Sequence, residues 1–142
     1  MTAPTKTTII FLSDTPDTAG EKVGTIDAPV RMVGKFILIN GPDEFAMAYG
    51  PIDDYGYHAD LVKRFCDLSD IPSGWAKKPD MYEILTDSYR VIGGGWFEEN
   101  ISEKTVRFYG YSTAYGGFDR QDILYLLRTT NSFADYLVDF DD

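Results

Sequence analysis

His58 is the chain's single histidine. It stands in "DDYGYHADLVKRFC" (residues 53–66), where acidic and aromatic residues give way to a helical pattern. An imidazole in the first turn of a helix feels the positive end of the dipole, which disfavours its protonated form. A neutral imidazole near pH 7 is what a general base needs. The same position also suits a capping or partly buried histidine with no chemical role. A second feature is the turn "STAYGG" (112–117), with a hydroxyl, small side chains and two glycines ahead of a second helical pattern. Such a turn can aim consecutive backbone N–H groups at one point and hold an anion beside the helix's positive end. It can equally be a glycine-permitted tight turn with no ligand. A third feature is Lys35, a lysine in the otherwise apolar "VGKFILIN" (33–40). On a buried face it needs a partner to offset desolvation; on an open face it points to solvent.

Other chemistries are excluded by what surrounds their key residues. A cysteine-dependent phosphatase needs an arginine shortly after the cysteine, and Cys66 is followed by "DLSDIPS". The run "IGGGWF" lacks the Lys-Ser/Thr ending of a nucleotide-binding loop. No calcium-loop pattern is present. Spacing alone leaves a Ser-His-Asp arrangement open, but Ser112 is not in a nucleophile-elbow sequence. With one cysteine there is no internal disulfide and no ligand set for a Cys-based zinc site. No metal and no cofactor are expected.

The elements that must position these groups follow from periodicity. "TTIIFL" (7–12) is strand-like within an N-terminal stretch of about 30 residues that otherwise reads as irregular, and "VGKFILIN" reads as a central strand. Residues 41–56, rich in glycine, proline and tyrosine, are expected to form a loop. His58, Leu61, Val62 and Phe65 fall at helical spacing, and this helix should end before Pro72. "PSGWAKKPD" (72–80) then reads as a loop. Two strand-like stretches, 82–100 and 104–112, are joined by "ENISEK" as a hairpin. Phe118, Ile123, Leu124 and Leu127 mark a second helix that Asp119 can cap. "FADYLVDF" (133–140) closes as a strand. The pattern predicts an α+β (α/β-like) single domain over 1–142, a mixed sheet flanked by two helices.

Composition sets the outer bounds. A chain of 142 residues with 44% hydrophobic content can bury a core. With 23 acidic and 13 basic residues, its net charge of −10 gives no broad positive field for nucleic acid or anionic lipid. Any phosphate site must therefore create positive potential locally. The early apolar run Ile9 to Leu12 is too short for a signal peptide or membrane span. A cytoplasmic location in a reducing compartment is expected.

The ordered set "GKFILI", "YHAD", "GGG" and "VRFYGYSTAYGG", with the closing "FADYLVDF", resembles the protein histidine phosphatases, also called the Janus/Ocnus family. The likeness spans roughly residues 33–140. It implies a metal-independent phosphatase that hydrolyses the P–N bond of phosphohistidine, on a protein or as a small phosphoramidate. His58 then matches the essential histidine, taken as general base, with direct attack as the less favoured variant. Lys35 matches a substrate-binding lysine, and Ser112, Thr113 and Ala114 match the turn that holds phosphate. Tyr57 and Arg120 are added as further substrate contacts, Arg120 standing where the family often has a second histidine. Trp96 follows the triple glycine where a basic residue is usual, and "PSGWAKKPDM" looks like an insertion. The expected partner is a phosphohistidine-bearing protein or small phosphoramidate, met by a monomer. A non-catalytic module that binds phosphate or a partner protein is the alternative.

Overall fold

A computed structural model describes residues 6–12, 31–52, 57–76 and 81–141. Its main sheet has six strands: β1 (Lys6–Phe11), β2 (Arg31–Asn40), β3 (Glu44–Pro51), β6 (Arg90–Asn100), β7 (Thr105–Tyr109) and β8 (Leu137–Asp141). They lie in the order β1-β3-β2-β6-β7-β8. Pairing is antiparallel except at the two margins, where β1 runs parallel to β3 and β8 parallel to β7. Helices α1 (His58–Ser69) and α2 (Arg120–Thr129) complete the mixed α+β architecture, with a separate small hairpin of β4 (Ser73–Trp75) and β5 (Tyr82–Ile84). No helix among the described residues is long and apolar enough to cross a membrane.

Alternation along β2 assigns the two faces. Ile37 and Ile39 point to one side with Ala46 and Ala48, where α1 lays down Leu61, Val62 and Phe65. Phe36 and Leu38 point to the other with Met47, Phe97 and Phe108, against Ile123 and Leu126 of α2. A strand buried on both faces reads as a continuous apolar run rather than as alternation, which is why β2 was legible. Each large buried side chain contributes about 1.5–3 kcal/mol, so the two layers hold the helices without help from their modest intrinsic propensity. Asp119 caps α2 as expected, its carboxylate accepting from the Gln121 N–H at 2.9 Å.

Several boundaries are corrected. Residues 44–51 are not loop but β3, held between β1 and β2. Its Phe45, Ala46, Met47 and Ala48 are buried, but the strand is poor in β-branched residues, so pairing on both sides decides what local propensity hides. Within 72–80, Ser73–Trp75 forms a strand because Tyr82–Ile84 pairs with it. The stretch 82–100 divides into β5 and β6. The strand expected over 133–140 starts only at Leu137, since Phe133 and Asp135 take left-handed φ values of 57° and 68°. Residues 1–5 and 13–30 of the expected N-terminal segment, and 53–56 and 77–80 of the two expected loops, lie outside the described residues.

Candidate functional site

His58 opens α1, directly after the capping residue Tyr57, whose N–H is accepted by the Asp60 carboxylate at 3.1 Å. The imidazole is buried against β6, with Nε2 2.8 Å from the Gly95 carbonyl oxygen. A carbonyl only accepts, so Nε2 carries the proton and Nδ1 keeps the lone pair. A Cβ placed on Gly94 would lie 3.2 Å from His58 Cδ2. The Cδ2–Nε2 edge therefore packs on the glycines, and Nδ1 is the vertex turned away from them. Burial pushes the ring's pKa down to about 4; the Gly95 hydrogen bond opposes this shift, and the Lys35 charge adds to it. The ring is neutral at physiological pH, as expected, but burial is the chief cause.

The triple glycine makes this approach possible. At Gly93, with φ of 154°, a Cβ would stand 1.9 Å from the Gly117 carbonyl oxygen. At Gly94 it would stand 2.5 Å from the Phe36 carbonyl oxygen as well as against His58. Glycine is required there so that the 112–117 turn and the imidazole can both reach the strand.

That turn is fastened several times over. Ser112 and Gly116 exchange backbone hydrogen bonds at 3.0 and 2.8 Å, and the Gly116 carbonyl also accepts from the Gly94 N–H at 3.2 Å. The Ser112 hydroxyl accepts from the Tyr115 N–H at 3.1 Å. The Tyr115 hydroxyl accepts from the Tyr82 N–H and donates to the Tyr82 carbonyl. Ser112 is therefore buried and spends its N–H inside the turn, so its part is to shape the loop. No group among the described residues accepts from the Thr113 or Ala114 N–H, and these two residues line a pocket with Lys35, Tyr57, His58, Trp96 and Tyr111. The pocket holds about 100 Å³.

Lys35 is buried on the α1 side of β2, in register with Trp96. Its Nζ lies 4.8 Å from the Trp96 ring centroid and 5.7 Å from that of Tyr57. These aromatic faces favour the charged form, while burial pulls its pKa below the ordinary lysine value and the Asp60 charge pulls it back up. Lys35 is the only cationic side chain among the described residues lining the pocket.

The fold thus brings together His58, Lys35, Tyr57, Thr113 and Ala114. It does not bring Arg120 into the lining: Arg120 is exposed at the start of α2, its guanidinium 5.6 Å from the Phe140 ring. The positive end of α2 is taken by Asp119 and is not at the pocket, and α1 supplies the helix start instead. Trp96 and Tyr111 were not foreseen as lining residues. Trp96 was marked in sequence only by its place after the triple glycine, and its register with Lys35 shows why it lines the pocket; Tyr111 is visible just as the residue before Ser112.

Comparison with known families matches residues 51–137 to the Janus/Ocnus family (Ocnus), and the chain belongs to it. Among curated proteins it is similar to the sex-regulated protein janus-A of Drosophila yakuba, 27% identical over 111 residues, covering 76% of this chain and 71% of that protein. The janus-A of Drosophila mauritiana is 26% identical over 111 residues, with the same coverage of 76% and 71%.

Proposed function

We propose that the protein is a metal-independent phosphatase that hydrolyses P–N bonds of the phosphohistidine type. The observation that carries this reading is the tautomer of His58. With Nε2–H committed to Gly95, Nδ1 keeps the ring's lone pair, and the described residues lining the pocket with His58 include Lys35, Thr113 and Ala114, around a volume that suits a phosphoryl group. Water attacks phosphorus as Nδ1 takes its proton. Lys35 and the Thr113 and Ala114 N–H groups stabilise the oxygens on which charge gathers. A P–N bond is labile, so a weak base suffices. A bound phosphoryl dianion next to the ring raises its pKa from the low value of the empty pocket.

A second reading is a phosphate-binding module without turnover. It is favoured by the low basicity of His58 and by Trp96, an aromatic lining residue where the family resemblance implies a basic one. Phosphate release from phosphoramidate and from phosphohistidine, by wild type and by His58→Gln, separates the two. The phosphatase reading expects release by wild type and a loss of about 100-fold or more in the variant, the scale for removing a general base. Binding of phosphate with no release by wild type would establish the module instead.

A further inference from the structure

The turn that carries the Thr113 and Ala114 amides is held from two sides. Gly116 fastens it to β6 through the Gly94 N–H, but Tyr115, the residue after the two amides, reaches the other way. Its hydroxyl takes both backbone groups of Tyr82, accepting from the N–H at 2.8 Å and donating to the carbonyl at 2.7 Å. Tyr82 opens β5, and its ring is buried in the core layer that holds Phe65 and Cys66 of α1. The Tyr82 hydroxyl meets Ser73 Oγ of β4 at 2.9 Å, and the Trp75 ring stands edge-on to Tyr82 at 5.0 Å. The small hairpin is thus a strut between α1, which carries His58, and the turn. Resting on the anion pocket of the phosphatase reading above, we infer that Tyr115 is a positioning residue. Through it the β4–β5 hairpin fixes Thr113 and Ala114 at the pocket, and phosphate bound there orders the hairpin in return.

The hydrogen-bond pattern of the hairpin gives this its force. The Leu85 N–H donates to the Pro72 carbonyl at 2.7 Å and the Ala76 N–H to the Met81 carbonyl at 2.9 Å. Bonded pairs alternate with unbonded ones in an antiparallel ladder, so the Trp75–Tyr82 pair between them is unbonded. The N–H and C=O of Tyr82 therefore point away from β4, and one hydroxyl satisfies both. Without it a buried residue keeps an unmet donor, which favours letting the strand go. A lone two-stranded hairpin is marginal in water, so β4 and β5 stay paired only while docked. On the other side of the contact, donors serve an anion only at close range, so a turn loosened beside its two amides binds less well. Coupling of this kind is reciprocal: what hairpin docking adds to phosphate affinity, phosphate adds to hairpin docking.

Inorganic phosphate tests this without turnover. It is titrated into the full chain of wild type, Tyr115→Phe and Tyr136→Phe, following the Thr113 and Ala114 amides by NMR. Tyr115→Phe keeps the ring and removes the hydroxyl. Its phosphate affinity should fall about tenfold, within the usual range for coupled sites, and exchange at the Ala76 and Leu85 amides should quicken. Tyr136→Phe also deletes one tyrosine hydroxyl, bonded to Glu99 away from the pocket, and should keep wild-type affinity. In wild type, saturating phosphate should slow exchange at Ala76 and Leu85 by about the same tenfold. That measurement decides alone if Tyr115→Phe does not fold. Wild-type affinity in a folded Tyr115→Phe chain would overturn the inference. So would hairpin amides that ignore phosphate, or that slow only in step with the Ile37 amide of central strand β2. No phosphate binding by wild type would overturn it together with the anion pocket. Failure of the phosphatase reading looks different: turn and hairpin respond together to phosphate, and none is released from phosphoramidate.

Discussion

At His58, burial and one hydrogen bond do more than the helix start that drew attention to it. The pKa of about 4 in the folded chain lies below the ordinary 6.5. Between these values the unfolded chain binds more protons than the folded one, so stability falls as pH falls. The stability that depends on the neutral ring is intact above about pH 6.5 and is lost progressively down to about pH 4, a change of up to about 3 kcal/mol. Urea unfolding of wild type and His58→Gln between these limits isolates it, since the carboxylate contributions are common to both chains. A difference between the two that stays constant with pH would show the ring to be unburdened by burial. At Lys35, Lys35→Met keeps the apolar stem and removes a desolvated charge. Folding stability should change little, while phosphate affinity drops by about 1.5–3 kcal/mol, the worth of a charge-assisted hydrogen bond; isothermal titration checks it. The sequence marked both residues by type. It did not show that Ser112 would spend its N–H on Gly116, because that is a property of the closed turn.

The β6 strand and the 112–117 turn form one device, and their glycines differ in what they do. Gly93→Ala puts a methyl group 1.9 Å from the Gly117 carbonyl oxygen, a backbone atom that yields only if the turn leaves the strand. The expected cost is about 2–4 kcal/mol, the range for strain that a fold cannot relax, and the phosphate-induced shifts at Thr113 and Ala114 should vanish. Gly116→Ala has a positive φ of 91° but meets nothing within 4 Å, so only conformational strain of about 1 kcal/mol is expected. Thermal unfolding ranks the two, and similar costs would mean that the turn is not docked through Gly93. Helical spacing made α1 and α2 legible because a 3.6-residue period survives in a single sequence. Strand β3 escaped notice because its identity rests on β1 and β2, which sequence places far away or just alongside without saying how they pair. The Lys35–Trp96 contact escaped for the same reason, as register across β2 and β6 is a tertiary fact.

Seen whole, the molecule carries a net charge of −10, and Lys35 is the one cation among the described residues that line the pocket. The negative field should slow the approach of an acidic phosphopeptide and hasten that of a basic one. Raising ionic strength from about 0.01 M to about 0.15 M shortens the screening length from roughly 30 Å to roughly 8 Å. We expect kcat/KM to rise with salt for a phosphohistidine peptide flanked by acidic residues and to fall for one flanked by lysines. Stopped-flow or steady-state rates across that range test it, and parallel salt responses for the two peptides would confine recognition to the pocket itself.

The parallel strands at both margins of the sheet also say something about time. β2, β3, β6 and β7 form an antiparallel block, with β3 following β2 and β7 following β6 through short turns, whereas β1 and β8 join from the outside by parallel pairing. The β2–β3 and β6–β7 hairpins close short loops, whereas pairing β2 with β6 closes the longest one, which is slow because entropy is lost before contacts repay it. The wall that carries Lys35, Trp96 and the glycine triad should therefore be complete only when β2 and β6 pair, since Asn40 meets Arg90 across the longest loop in the sheet. At the margins, β1 and β8 are paired on one side only and should open first. Amide hydrogen exchange should record this history in the native state, with β2 and β6 protected to the level of global unfolding and β1 and β8 released by smaller openings.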